Sequence, residues 1–267
     1  MVDVQNMNDD RQVPLHKVGV RNVSHPITVL DRDHRTQQSV AELDLYASLP
    51  HSYKGTHMSR FIEVFQRHAD DIRMPRFLHM LDEVRHYLDS ERAFGVLRFP
   101  YFMEKHAPVS GQASFLRYNC AFSGISSDEQ REFFVTVGVP VTTLCPCSRE
   151  ISDRGAHNQR GICTVTVEVK DFFWMEDLIE LVEGHASAGL YTLLKRVDEK
   201  YVTEHAYDHP VFVEDLVRSV TLALEEHFSF PWFSVEATNQ ESIHNHDAYA
   251  YVERGRPPLE RPCNSIV

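Results

Sequence analysis

Apolar and polar positions alternate with period two through "HPITVL" (25–30) and "SVAELDLYASL" (39–49), which predicts two strands. The period then lengthens. "MSRFIEVFQRHA" (58–69) and "PRFLHMLDEVRHYLD" (75–89) read as helices, the second with Phe77, Leu78, Leu81, Val84 and Leu88 at helical spacing. Alternation returns in "AFGVLRFPYF" (93–102) and "ASFLRYNCAFSG" (113–124).

The second half repeats this order. "REFFVTVGVPVTTL" (131–144) and "ICTVTVEVKDFF" (162–173) predict strands. One helix face follows from Leu178, Leu181, Val182, Ala186, Leu190 and Leu193, another from Val213, Leu216, Val217, Val220 and Leu224. "PWFSVEATNQ" (231–240) and "DAYAYVERG" (247–255) close the half as strands. The chain therefore reads as ββααββ twice, an α+β class with antiparallel sheets and helices on one face. Expected boundaries are a polar N-terminal arm at 1–22, a first module at 23–125, a second at 126–253, and a Pro- and Arg-rich tail at 254–267. Both ends are expected to be loosely held, and open sheet edges predict oligomerisation.

Charge and composition narrow the functional classes. A net charge of −12 argues against a general nucleic-acid binder. No run approaches about 18 consecutive apolar residues, so no transmembrane helix is expected. The acidic start "MVDVQNMNDDRQVP" does not resemble a signal peptide. Five cysteines without disulfide-scaffold spacing fit a reducing, cytoplasmic setting.

Four segments carry candidate chemistry. "LCPCSREISDRGAHNQRG" (144–161) holds Cys145, Cys147 and His157. Redox pairs usually separate their thiols by two residues, and a structural zinc site wants four ligands. A catalytic metal site with an open position and incidental thiols both remain open; neither Cys163 nor Cys263 completes a second pair. "LLKRVDEKYVTEHAYDHPVFVEDL" (193–216) is read as a charged loop between helices, offering Lys195, Arg196, Asp198, Glu199, Lys200 and Glu204. Glu214, at a helix start, either favours the helix dipole or grips an amidine-like N–H edge. "NQESIHNHDAY" (239–249) clusters Glu241, His244 and His246 in a strand connection, a pattern suited to metal or proton-transfer work. "KGTHMSRF" (54–61) presents His57, Ser59 and Arg60 at a helix N-terminus, where donors either cap the helix or meet phosphate. "KHAPVSG" (105–111) adds Lys105, His106 and Ser110.

Together "VPVTTLCPCSREISDRGAHNQRG", "LLKRVDEKYVTEHAY", "ESIHNHDAYAY", "KGTHMSRF" and "APVSG" resemble the GTP cyclohydrolase IB family, in order, over about residues 14–253. The resemblance implies the tunnelling fold, with two ββααββ modules per chain and a homotetramer whose sites lie near subunit interfaces. It implies a hydrolase that converts GTP and water to formate and 7,8-dihydroneopterin triphosphate, at the entry to tetrahydrofolate synthesis. It further implies one divalent ion (zinc, manganese or iron) on Cys145, His157 and Glu199, activating water for attack at guanine C8. On the same basis Glu214 anchors the guanine N2/N3 edge. Lys195, Arg196, His57, Ser59 and Arg60 are candidates for the triphosphate. His244 is the preferred general acid/base, with Glu241 orienting it or reaching the metal and Cys147 assisting. The rival expectations are a nitrile reductase with a cysteine nucleophile, a cyclohydrolase forming a cyclic phosphate, and a non-enzymatic purine or pterin binder with a structural metal.

Overall fold

The computed structural model describes residues 5, 9–70, 72–258 and 262. The first half comprises strands β1 (Leu15–Asp31) and β2 (Arg35–Leu49), helices α1 (Met58–His68) and α2 (Met74–Tyr87), and strands β3 (Arg92–His106) and β4 (Ala113–Ser127). The second opens with β5 (Arg131–Leu144), the short helix α3 (Pro146–Ile151) and β6 (Asn158–Glu168). It continues through α4 (Met175–His185), the two-residue strand β7 (Ala188–Gly189), α5 (Arg196–Asp208) and α6 (Val213–His227). It closes with β8 (Trp232–Gln240) and β9 (Asp247–Gly255).

All strands join one antiparallel sheet in the order β1-β2-β3-β4-β5-β6-β8-β9, with β7 pairing β5. The pairing of β4 with β5 makes the sheet continuous between the two halves. β1 and β9 are its outer edges.

The strand alternation has a direct packing consequence. Leu43, Leu45, Leu97 and Phe99 from the first half and Val135, Val137, Val165 and Val235 from the second share one buried cluster. Phe61, Phe77 and Leu81 of the helices α1 and α2, and Leu178, Val182, Leu216 and Val220 of α4 and α6, complete it. Burying such side chains stabilises the fold by roughly 1.5–3 kcal/mol each, which makes the register of each strand expensive to shift. A Cβ on Gly95 would lie 3.0 Å from both Phe77 and Leu81, so the absent side chain lets α2 settle against β3.

Polar contacts fasten the halves. Glu176 of α4 accepts from the Arg32 backbone N–H at 2.8 Å and from the Tyr101 hydroxyl at 2.5 Å. Lys105 of β3 donates to both oxygens of Glu183 at 2.8 and 2.7 Å and to the Leu190 carbonyl at 2.8 Å, while Tyr118 donates to Glu183 at 2.8 Å.

Three sequence expectations change. The segment 193–216 is not a loop: most of it is α5, whose buried residues are Asp198 and Ala206. A helix burying so little carries no apolar stripe for periodicity to detect. The helix expected to run to Leu193 ends at His185, and Leu190 and Leu193 lie beyond it. Within the expected arm, residues 15–22 are already strand, paired to β2. Part of the tail, including Cys263, lies outside the described residues. Among the described residues no helix is long and apolar enough to cross a membrane.

Candidate metal and nucleotide site

Cys145 follows the last residue of β5 and caps α3, with Pro146 at the first helical position, where its missing N–H costs nothing. The Cys145 sulfur accepts the Ser148 N–H at 3.4 Å. Ser148 does more: its hydroxyl donates to the Cys145 carbonyl at 3.3 Å and accepts the His157 N–H at 3.1 Å. Gly155, at φ +101°, turns the chain back toward β6, and the Cys145 N–H donates to the His157 carbonyl at 3.1 Å. The thirteen residues 145–157 thus fold into a closed loop whose two ends, Cys145 and His157, are joined through their backbones.

The imidazole is oriented from below. Gln159 gives its amide nitrogen to Thr143 Oγ1 at 3.0 Å, which turns its oxygen toward His157 Nδ1 at 3.1 Å. Nδ1 must then carry the hydrogen, and Nε2 keeps its lone pair. That is the tautomer a metal-binding histidine needs. Gln159 and Thr143 are both buried, so the orientation is protected from water. Pairing of β6 with β8, with Gly161 opposite Asn239, brings Glu241 to 3.9 Å from His157 Nδ1. A thiol, an imidazole and a carboxylate are donor types that suit zinc, iron or manganese.

Helix α5 is tied to the β3–β4 hairpin at its start and to this neighbourhood at its end. At its start Asp198, fully buried, accepts from the Val109 N–H (2.9 Å), the Ser110 N–H (2.8 Å), the Ser110 hydroxyl (2.7 Å) and the Lys195 N–H (2.8 Å). At its end the Tyr207 ring lies under Arg149 of α3 at 4.8 Å, and the Val211 N–H donates to the Leu144 carbonyl at 3.1 Å. Glu199 is in the first turn of α5 with its side chain exposed, and Lys195 and Arg196 are exposed beside it.

The remaining candidates are more dispersed. Cys147 is exposed on α3. His244 is exposed in the β8–β9 connection, stacked on His246 with ring centres 5.2 Å apart. Glu214 is exposed on α6 and lines an open groove with Arg218, Leu222, Tyr249, Tyr251 and Arg254. His57 caps α1, Ser59 is exposed, and Arg60 packs over the Tyr87 ring at 4.9 Å and donates to its carbonyl. Cys145, His157 and Glu199 do not bring three donor atoms within 4.8 Å of one another in the single chain; among the described residues His68, His79 and Glu83 do, in an arrangement that suits a divalent ion.

Two supporting residues, Gln159 and Ser148, escaped the sequence reading, and Asp198 entered it only as part of a charged segment. Gln159 stands two residues from His157 on a strand, and period-two alternation puts both on one face. Ser148 and Asp198 had no such signal, because their partners are set by the fold.

Comparison with known proteins gives these residues their context. The family described as Type I GTP cyclohydrolase folE2 matches residues 1–250. The GTP cyclohydrolase FolE2 of Syntrophus aciditrophicus is 54% identical over 254 residues, covering 95% of this chain and 100% of that protein. The Geobacter sulfurreducens protein of the same name is 50% identical, covering 96% and 99%. That of Thermosipho africanus is 47% identical, covering 94% and 97%. Among solved structures, uricase from Arthrobacter globiformis superposes with a TM-score of 0.55 at 7% identity, covering 92% of this chain and 96% of that one. Urate oxidase from Bacillus subtilis does so at 0.52 and 8%, covering 90% and 98%. These two likenesses speak for the fold alone, the tunnelling fold. The family match favours a cyclohydrolase over the nitrile reductase and the non-enzymatic binder. The chain belongs to the type I GTP cyclohydrolase FolE2 family and is an enzyme of that class.

Proposed function

We propose that this chain converts GTP and water to formate and 7,8-dihydroneopterin triphosphate, the entry reaction of tetrahydrofolate synthesis, at a centre built on Cys145, His157 and Glu199. The observation that carries the reading is the loop closed by the Cys145 N–H on the His157 carbonyl, with the imidazole oriented by Gln159. A divalent ion held there, zinc, manganese or iron, would supply a Lewis acid that makes water nucleophilic at neutral pH, for addition at guanine C8.

The chain's own groups do the rest. Glu214 grips the guanine N2/N3 edge by paired hydrogen bonds to one carboxylate. Lys195, Arg196, His57, Ser59 and Arg60 offset the triphosphate charge. His244 moves protons during ring opening and loss of formate, with Glu241 orienting imidazole groups and Cys147 as a second donor.

Glu214 lies beside β9 and α1 packs beside β1, at opposite edges of the sheet. Edge pairing between copies would join these sets, which supports a homotetramer with sites at subunit interfaces. Metal-replete protein given GTP should yield a product that fluoresces as a pterin after oxidation. Cys145→Ala should lose turnover and metal while the assembly survives. A variant with full turnover would contradict the assignment, and a cyclic phosphate product, separable by mass, would correct the reaction.

A further inference from the structure

In the first half, α1 and α2 bring together three side chains that the reaction does not use. His68 ends α1, and His79 and Glu83 stand one turn apart on a single face of α2. Their donor atoms all lie within 4.8 Å of one another. His68 Nε2 is 2.7 Å from Glu83 Oε2, and the His68 and His79 ring centres are 5.5 Å apart.

The burial of His68 gives the cluster its meaning. The residue is 6% exposed, yet its Nδ1 is buried with no hydrogen-bond partner. Nε2, the nitrogen turned toward Glu83, is the one placed to ligate. Among the described residues its one hydrogen-bond partner is Glu83, and the His79 ring packs edge-on against it. Glu83 divides its two oxygens, one facing His68 and the other held by Arg67 at 2.5 Å. An outer cation that orients a carboxylate while leaving one oxygen free is a common support for a ligating acid.

We propose that His68, His79 and Glu83 form a site for a zinc-like divalent ion, separate from Cys145 and His157, that clasps α1 to α2. Two imidazoles and one carboxylate oxygen suit zinc, with a fourth position left to water. Tetrahedral donors stand roughly 3.3 Å apart around such an ion, so the exposed His79 ring must swing inward while His68 and Glu83 separate slightly. Binding displaces the proton between His68 and Glu83 into solvent and replaces a single hydrogen bond across the helix pair with metal bonds. Arg67, half exposed, retains its oxygen of Glu83 throughout.

The test is the zinc content of the full chain after chelator stripping, dialysis against low-micromolar zinc and removal of free ion. His79→Ala and Glu83→Gln should each hold one ion fewer per chain than the wild type. Cys145→Ala should keep the ion that His79→Ala loses. This difference stands whether or not Cys145 binds metal, so failure here is distinct from failure of the catalytic centre. His79 is exposed, so its removal leaves the helix packing intact. Zinc should also raise the thermal midpoint of Cys145→Ala, and not that of Cys145→Ala combined with His79→Ala. Equal zinc content in wild type and His79→Ala, or binding to the cluster only at millimolar zinc, would overturn the proposal.

Discussion

Ser110 and Asp198, separated by 88 residues, share a 2.7 Å hydrogen bond from hydroxyl to carboxylate, and the Ser110 N–H adds a second at 2.8 Å. Through this pair the β3–β4 hairpin of the first half clamps the start of the helix that carries Lys195, Arg196 and Glu199 in the second. Burial pushes the Asp198 carboxyl up, but hydrogen bonds from Ser110, Lys195 and Val109 outweigh it and hold the group well below the usual carboxylate range.

Asp198→Asn should therefore displace Glu199 without touching it. The amide would turn an N–H toward donors that need an acceptor, and misplacement by about 1 Å can cost roughly 10²-fold in rate. A folded group with a depressed pKa contributes stability above its unfolded pKa, near 3.8, and loses it as pH falls through the lower folded value. The stability gap between wild type and variant should be widest at neutral pH and close below the ordinary carboxylate range. Unfolding curves across pH, with steady-state turnover, check both parts.

Gln159→Leu tests the tautomer. Without the Gln159 oxygen, nothing in the β5–β6 pair obliges His157 to carry its hydrogen on Nδ1. Loss of such a supporting partner typically weakens metal affinity by about 10- to 100-fold. Competition with a chromophoric chelator should show that loss, while circular dichroism stays that of the wild type.

The described cysteines should react unequally. Burial pushes the Cys163 thiol up to about 12 and raises that of Cys120 further. Cys147 is exposed and Cys145 half-buried. Iodoacetamide at mildly alkaline pH should alkylate Cys147 first, then Cys145, and leave Cys120 and Cys163 untouched in the native fold. Saturating zinc should protect Cys145 more than Cys147. Peptide mass mapping reads this directly, and equal protection would contradict the separate jobs given to the two thiols.

Lys105→Ala addresses the joint between the halves. Lys105 and Glu183 are 10% and 15% exposed at their side chains, and among the described residues Glu183 would keep Tyr118 as its side-chain donor. Breaking a largely buried pair from one side costs about 3–5 kcal/mol. Urea unfolding at fixed chain concentration should show a loss of that order.

Much of this molecule is legible in its residues. The strands and the amphipathic helices α1, α2, α4 and α6 bury continuous faces, and alternation or helical spacing records that directly. Helix α5 escapes because it buries only Asp198 and Ala206, and its exposed sides are charged, as in the Lys200–Glu204 pair. Helix α3 is six residues long, too short for a period, although Cys145-Pro146 marks its start. Cys145 and His157 stand close in sequence, so their meeting was readable. That Ser110 latches Asp198, or that Glu241 comes within 3.9 Å of His157, depends on strand order and register, which local patterns do not encode.

Water adding at C8 of guanine makes that carbon leave as formate. GTP labelled with carbon-13 at C8, incubated with metal-replete protein and followed by NMR, tests it in one measurement. Label should appear in formate, one equivalent for each pterin formed, and Cys145→Ala should release no labelled formate. Label retained in the purine product, or formate release undiminished in that variant, would contradict it.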